Sequence, residues 1–296
     1  MSNFTSFAIA GVGNVGSFLA EELLKLKASG KVKEVVLLTR SVCPLRLRTR
    51  TPLPKRLPRK GAKVAPVDYT SKDALTAALS GVDVVISTFS PTGFEAQENV
   101  AVAAKAAGVR LFVPSEFGNP TEGIKEGLLA VKSRFHARLR ELGLPSLLVF
   151  NGPFTDYIFV PFVNLDIKGG KITVGGDGNS PVSFTSRTDI GRFLAYTLTT
   201  LSPDQLSNKV FRIEGDRISF NDVVKQYEAK TGKKVDITYR SIADLQAAIK
   251  ANGQDFASVL HLSWAQGGGV VGKPEELSNG LYPGWNPKKV IEVIAP

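Results

Sequence analysis

The chain has one cysteine, one methionine and two histidines among 296 residues. A single thiol, Cys43, rules out an internal disulfide and is expected to be a plain exposed group. With two imidazoles and one thiol no conventional zinc ligand set can be assembled, so no metal is expected. No apolar run reaches the roughly 18 to 20 residues that a membrane span requires. The polar start Met1-Ser2-Asn3 does not read as a secretory signal, which sets the expectation of a cytoplasmic protein with no membrane partner. No Tyr-x-x-x-Lys pair occurs either. Tyr69 and Tyr227 each have a lysine three residues on, one short of that spacing.

Charge of one sign is in excess, at +10, but it is concentrated. Arg46, Arg48, Arg50, Lys55, Arg56, Arg59, Lys60 and Lys63 lie in one stretch, and without them the net charge would be about +2. Pro44, Pro52, Pro54 and Pro58 interrupt the same stretch, so a regular helix is not expected there. The expectation is a mobile basic loop beside a ligand mouth, helping to draw in a polyanion. It lacks the interleaved aromatics of a nucleic-acid surface, so no nucleic-acid partner is expected.

What is present is a glycine motif in a telling place. Ile9 to Gly16 reads Ile-Ala-Gly-Val-Gly-Asn-Val-Gly, an apolar strand running into Gly11-x-Gly13-x-x-Gly16. A helical pattern follows, with Val15, Leu19, Leu23 and Leu26 on one face. Strand, glycine turn and helix N-terminus in that order are what a dinucleotide pyrophosphate needs. Further strands are expected near Glu34 to Thr39, Lys63 to Val67, Asp83 to Thr88, Arg110 to Val113 and Ser146 to Asn151. Helices are expected over Glu95 to Ala107 and Gly127 to Leu142, stopped by Gly108 and Gly143. This alternation predicts an α/β Rossmann fold, a doubly wound parallel sheet, over residues 1–152. Residues 153–296 are expected to form mainly a smaller α+β substrate-binding lobe, with elements near 187–215 returning to the nucleotide domain. Its elements include a helix over Asp189 to Leu201, a strand over Lys209 to Ile213, and Asn221 to Thr231, Val235 to Tyr239 and Ala243 to Ala251.

The second strand ends in Thr39-Arg40-Ser41, and no acidic residue follows until Asp68. An acid there would take an adenosine ribose diol, whereas a guanidinium can pair with a 2′-phosphate, so the expected cofactor is NADPH. With Gly81-Val82-Asp83-Val84-Val85-Ile86-Ser87, Val113-Pro114-Ser115-Glu116-Phe117-Gly118 and Asn151-Gly152-Pro153-Phe154, the chain resembles one group over nearly its whole length. That group is the isoflavone reductase and phenylcoumaran benzylic ether reductase branch of the NmrA-like, atypical short-chain dehydrogenases. Gly176-Asp177-Gly178-Asn179 through Ser183-Phe184-Thr185-Ser186 looks like its fungal members in particular. Two departures stand out: Ala10 fills the first position of the usual Gly-Gly-x-Gly-x-x-Gly, with Asn14 at a frequent tyrosine, and prolines break the segment after Arg40.

The resemblance implies that Lys132, thirteen residues before Pro145, acts as general acid or base. The missing Tyr-x-x-x-Lys pair argues against the tyrosine-based mechanism of other short-chain dehydrogenases. His136, one turn beyond Lys132, either faces the same pocket or is structural. Cofactor contacts implied alongside Gly11, Gly13, Gly16, Thr39, Arg40 and Lys132 are Asn14 and Val15, then Thr88, Phe89 and Ser90, then Ser115, Glu116 and Phe117, and finally Phe154. Phe154, Tyr157, Phe159, Trp264 and Tyr282 either line a substrate pocket or belong to the core. The expected function is NADPH-dependent reduction of a small, aromatic molecule such as an isoflavone, benzylic ether, quinone or enone, by a monomer or homodimer. The alternative is a regulator that senses NADP(H) without turnover.

Overall fold

The computed structural model describes residues 4–40, 54–90 and 93–296. Cys43, Arg46, Arg48 and Arg50 lie outside the described residues. In chain order the elements are β1 (Ser6–Ala10), α1 (Gly16–Ala28), β2 (Glu34–Arg40), α2 (Arg56–Arg59), β3 (Lys63–Val67), α3 (Lys72–Ala78), β4 (Val84–Ser87), α4 (Phe94–Ala106), β5 (Leu111–Val113), α5 (Ala130–Glu141) and β6 (Leu147–Phe150). They continue with β7 (Leu165–Asp166), β8 (Lys171–Gly175), β9 (Val182–Phe184), α6 (Arg187–Thr200), α7 (Pro203–Leu206), β10 (Lys209–Arg212), β11 (Asp216–Ile218), α8 (Phe220–Thr231), β12 (Asp236–Arg240), α9 (Ile242–Ala251), α10 (Phe256–Ala265) and α11 (Val290–Ile294).

Contacts divide the chain into two compact units. The first comprises Met1–Glu116, Val131–Val149 and Ile190–Val210. Its sheet has the order β3-β2-β1-β4-β5, and every pairing is parallel. A parallel bridge between Phe112 and Ser146 carries the order on to β6, which pairs with β10. This is the doubly wound Rossmann order. Because helices cover both faces, β1, β4 and β5 are buried at every residue and read as unbroken apolar runs. Helix α1 buries Leu19, Ala20, Leu23 and Leu24, and α4 buries Val100, Ala101, Ala103 and Ala104. Pro66 is tolerated because β3 is the sheet edge, where a missing N–H breaks no ladder. Helix α5 starts at Ala130, later than expected, since Gly127 at φ 78° forms a turn closed by the Ala130 N–H on Gly127 O.

The basic stretch differs from expectation in its described part. Arg56–Arg59 forms a turn of helix, with Leu57 fully buried and Arg56 paired with Glu21 of α1. Pro58 is no obstacle in a first turn, where the N–H has no helical partner anyway. Lys27 Nζ, at the C-terminal end of α1, donates to Gly61 O at 2.8 Å. Residues 61–63 therefore sit by the end of α1 remote from the glycine loop, not beside it.

The second unit comprises Phe117–Ala130, Phe150–Asp189 and Phe211–Pro296. It holds a three-stranded sheet, β12-β8-β7, and the antiparallel pair β9 and β11. Its core gathers around Phe184, which stacks on Phe159 at 5.9 Å and meets Phe220 edge-on at 5.8 Å. Among the described residues no helix is long and apolar enough to cross a membrane.

Candidate functional site

Strand order reverses between β1 and β4, and the loops leaving those two strands meet. The Thr88 N–H donates to Ala10 O at 2.8 Å, and the Thr88 hydroxyl donates to Gly11 O. Gly11 has φ +92°, a conformation that side chains avoid. A Cβ on Gly16 would stand 2.2 Å from Gly11 O, so only glycine lets α1 start there. Gly13 is different: a Cβ on it would meet nothing within 4 Å, and its φ is ordinary. Packing and backbone conformation therefore require glycine at 11 and 16 and leave 13 open for an outside molecule. Helix α1 begins with no side-chain cap and no acid in its first turn, so its positive end is available to an anion. Asn14 is exposed and Val15 buried at this turn.

At the end of β2, Thr39 is half-buried and Arg40 is exposed. Tyr69, after β3, reaches back to β2: its hydroxyl donates to Leu38 O at 2.8 Å. Burial pushes the Tyr69 pKa up, opposed by the nearby Arg40 charge and the Gly11 backbone, so the phenol stays neutral. Phe89 packs edge-on against Tyr69 at 5.2 Å, and Asn99 Nδ2 donates to Tyr69 O at 3.0 Å. None of these roles for Tyr69 is legible in the sequence, because its partners lie 20 or more residues away.

The ends of β4 and β5 are tied in turn. Ser115 Oγ donates to Phe89 O at 2.7 Å, and the Ser115 N–H donates to buried Gln97 Oε1 at 2.8 Å. Ser90 is exposed. Two residues after Ser115, Phe117 adopts φ 41°, a left-handed conformation that is costly for a bulky residue.

Beside this edge stands Lys132. Its ammonium donates to Glu116 O at 2.6 Å and lies 3.9 Å from Glu116 Oε2. Glu116 Oε1 is 2.7 Å from His136 Nε2. Burial holds the Lys132 pKa below the usual lysine range, with the Glu116 charge opposing that shift. The lysine is therefore closer to releasing a proton near neutral pH than a surface lysine is. The i,i+4 spacing on α5 explains why Lys132 and His136 share a face, but nothing in the sequence showed that one carboxylate meets both.

The remaining expected residues belong to the second unit. Phe117 and Phe154 lie there, Phe154 forming a backbone bridge with Thr185. Phe159 and Trp264 are core, with Trp264 buried against Phe220 at 5.2 Å. Tyr157 is exposed beneath the Arg187 guanidinium, and Tyr282 packs on Trp285 at 6.2 Å.

A parallel sheet of order β3-β2-β1-β4-β5, with a glycine turn at its reversal point, places the protein among Rossmann-type α/β proteins. The chain belongs to the NmrA-like family, whose model matches residues 7–263. It is 29% identical over 253 residues to "Isoflavone reductase homolog A622" of Nicotiana glauca, covering 82% of this chain and 79% of that one. It is also 29% identical over 257 residues to "Eugenol synthase 2" of Clarkia breweri, covering 81% and 80%. The binary complex of leucoanthocyanidin reductase with NADPH from Vitis vinifera shares the fold, with a TM-score of 0.80 at 24% identity over 97% of each chain. These relatives are plant proteins and lend no support to a particular fungal likeness.

Proposed function

We propose that the protein is an NADPH-dependent reductase of small aromatic molecules and that Lys132 is its proton donor. Membership of the family, and relatives named as isoflavone reductase homolog and eugenol synthase, support the reaction class. The observation that carries the reading is a buried lysine of lowered pKa at the same sheet edge as the glycine loop.

The residues present fit the cofactor. Gly13 leaves room for a pyrophosphate at the uncapped end of α1, and Arg40 at the end of β2 suits a 2′-phosphate. Thr88, Phe89, Ser90, Ser115 and Glu116 lie along the C-terminal ends of β4 and β5, where the rest of a dinucleotide would rest. NADPH, when bound, supplies the hydride. Lys132 supplies the proton, from an ammonium that burial makes more acidic and that the Glu116 carbonyl aims. Substrates with an electrophilic carbon next to an oxygen that gains charge, such as quinones, enones, isoflavones and benzylic ethers, suit this pairing.

The test is NADPH absorbance followed with a panel of those four compound classes. At least one should be reduced, with NADPH preferred over NADH. If NADPH binds but no compound is reduced, a regulator that senses NADP(H) without turnover becomes the better reading.

A further inference from the structure

One residue holds Lys132 at two points. The Glu116 carbonyl accepts from the ammonium at 2.6 Å, and carboxylate oxygen Oε2 stands 3.9 Å from it. The other oxygen, Oε1, meets His136 Nε2 at 2.7 Å. Side-chain exposure is 16% for Lys132, 2% for Glu116 and 8% for His136, so the group is largely closed to water. Helix α5 brings Lys132 and His136 to this carboxylate, and Glu116 arrives from the end of β5.

We propose that Glu116 and His136 are positioning residues for Lys132, with His136 holding the Glu116 carboxylate so that its second oxygen stays beside the lysine ammonium at ion-pair rather than hydrogen-bond distance. The proposal rests on Lys132 being the proton donor. A carboxylate free to rotate would close on the ammonium and retain the proton that must leave, or turn away and abandon the ammonium to an apolar site. A donor on Oε1 prevents both motions. It also gives a buried carboxylate oxygen a hydrogen-bond partner.

The sign of the effect follows. Burial lowers the Lys132 pKa and the Glu116 charge opposes that lowering. In Glu116→Gln only burial remains, so the ammonium is lost at lower pH. An acid works only while protonated, so the alkaline fall of kcat moves to lower pH. In His136→Leu the carboxylate is no longer held at Oε1 and either closes on the ammonium, which moves that fall to higher pH, or turns away, which moves it to lower pH, so the fall leaves its wild-type position. His136→Gln keeps an amide donor at nearly the same reach and should restore the profile.

The experiment is the pH profile of kcat at saturating NADPH and substrate, with Tm measured for each variant. The alkaline fall should move down by about one pH unit or more in Glu116→Gln, the size expected for losing one close opposite charge, leave its wild-type position by a similar amount in His136→Leu, and stay with wild type in His136→Gln. Should the leucine variant not fold, His136→Asn, whose amide falls short of Glu116, should give the same displacement. Profiles that superimpose on wild type while Tm drops would overturn the proposal and leave the pair a packing feature. Lys132→Ala run alongside separates the two ideas. If it keeps wild-type turnover, the proton-donor reading fails and takes this inference with it. If only Lys132→Ala loses turnover, the positioning role alone is wrong.

Discussion

Arg40 ends β2 with its side chain exposed, in the place where an acidic residue would select a ribose diol. Replacing it with alanine should cost NADPH about tenfold to a hundredfold in affinity and leave NADH nearly unaffected, as titrations of both cofactors would show. Equal binding of the two cofactors by wild type would remove its proposed role. Residues of this kind were legible because strand-end chemistry is local. Tyr69 and Gln97 were not, since each acts through a bond to a residue 18 or more positions away. Lys132 lay between these cases. Its position was inferred from family resemblance, whereas its burial and its hold on Glu116 depend on how β5 and α5 meet.

At the scale of elements, the glycine loop and α1 separate what packing needs from what a ligand needs. Gly16→Ala places a methyl against Gly11 O and should lower Tm by roughly 2 to 10 °C as well as impair NADPH binding. Gly13→Ala meets open space, so Tm should move by less than about 2 °C while NADPH affinity falls at least about tenfold. Thermal melts beside calorimetry would decide it, and a Gly13→Ala variant that binds NADPH normally would mean the loop does not carry the pyrophosphate. Strands β1, β4, β5 and β6 were readable because burial on both faces leaves unbroken apolar runs bounded by turns. Helix α2 was hidden by Pro58, which a helix tolerates in its first turn but not in its interior. Strands of two or three residues, such as β7, β9 and β11, are too short for any alternation to show.

Across the whole molecule, the net charge of +10 favours an anionic cofactor, but Lys60 and Lys63, which close the basic stretch, flank a residue held at the end of α1 remote from the glycine loop. Helix α1 is about 20 Å long, and Gly61 lies by its far end, well beyond the Debye length of about 8 Å at physiological salt. Neutralising Lys60 and Lys63 together should therefore leave the NADPH association rate within about twofold at that salt, by stopped-flow fluorescence. A tenfold slowing would show that these charges reach the site. The claim on which the account turns is that Lys132 moves a proton. The direct measurement compares Lys132→Ala and Lys132→Arg with wild type, by calorimetry for NADPH and by turnover on the substrate that the panel identifies. A loss of kcat of about 10² to 10⁴ is expected in both variants, far exceeding any loss of NADPH affinity, because alanine has no proton to give and arginine keeps the charge but releases no proton near neutral pH. Turnover within about threefold of wild type in both would contradict it.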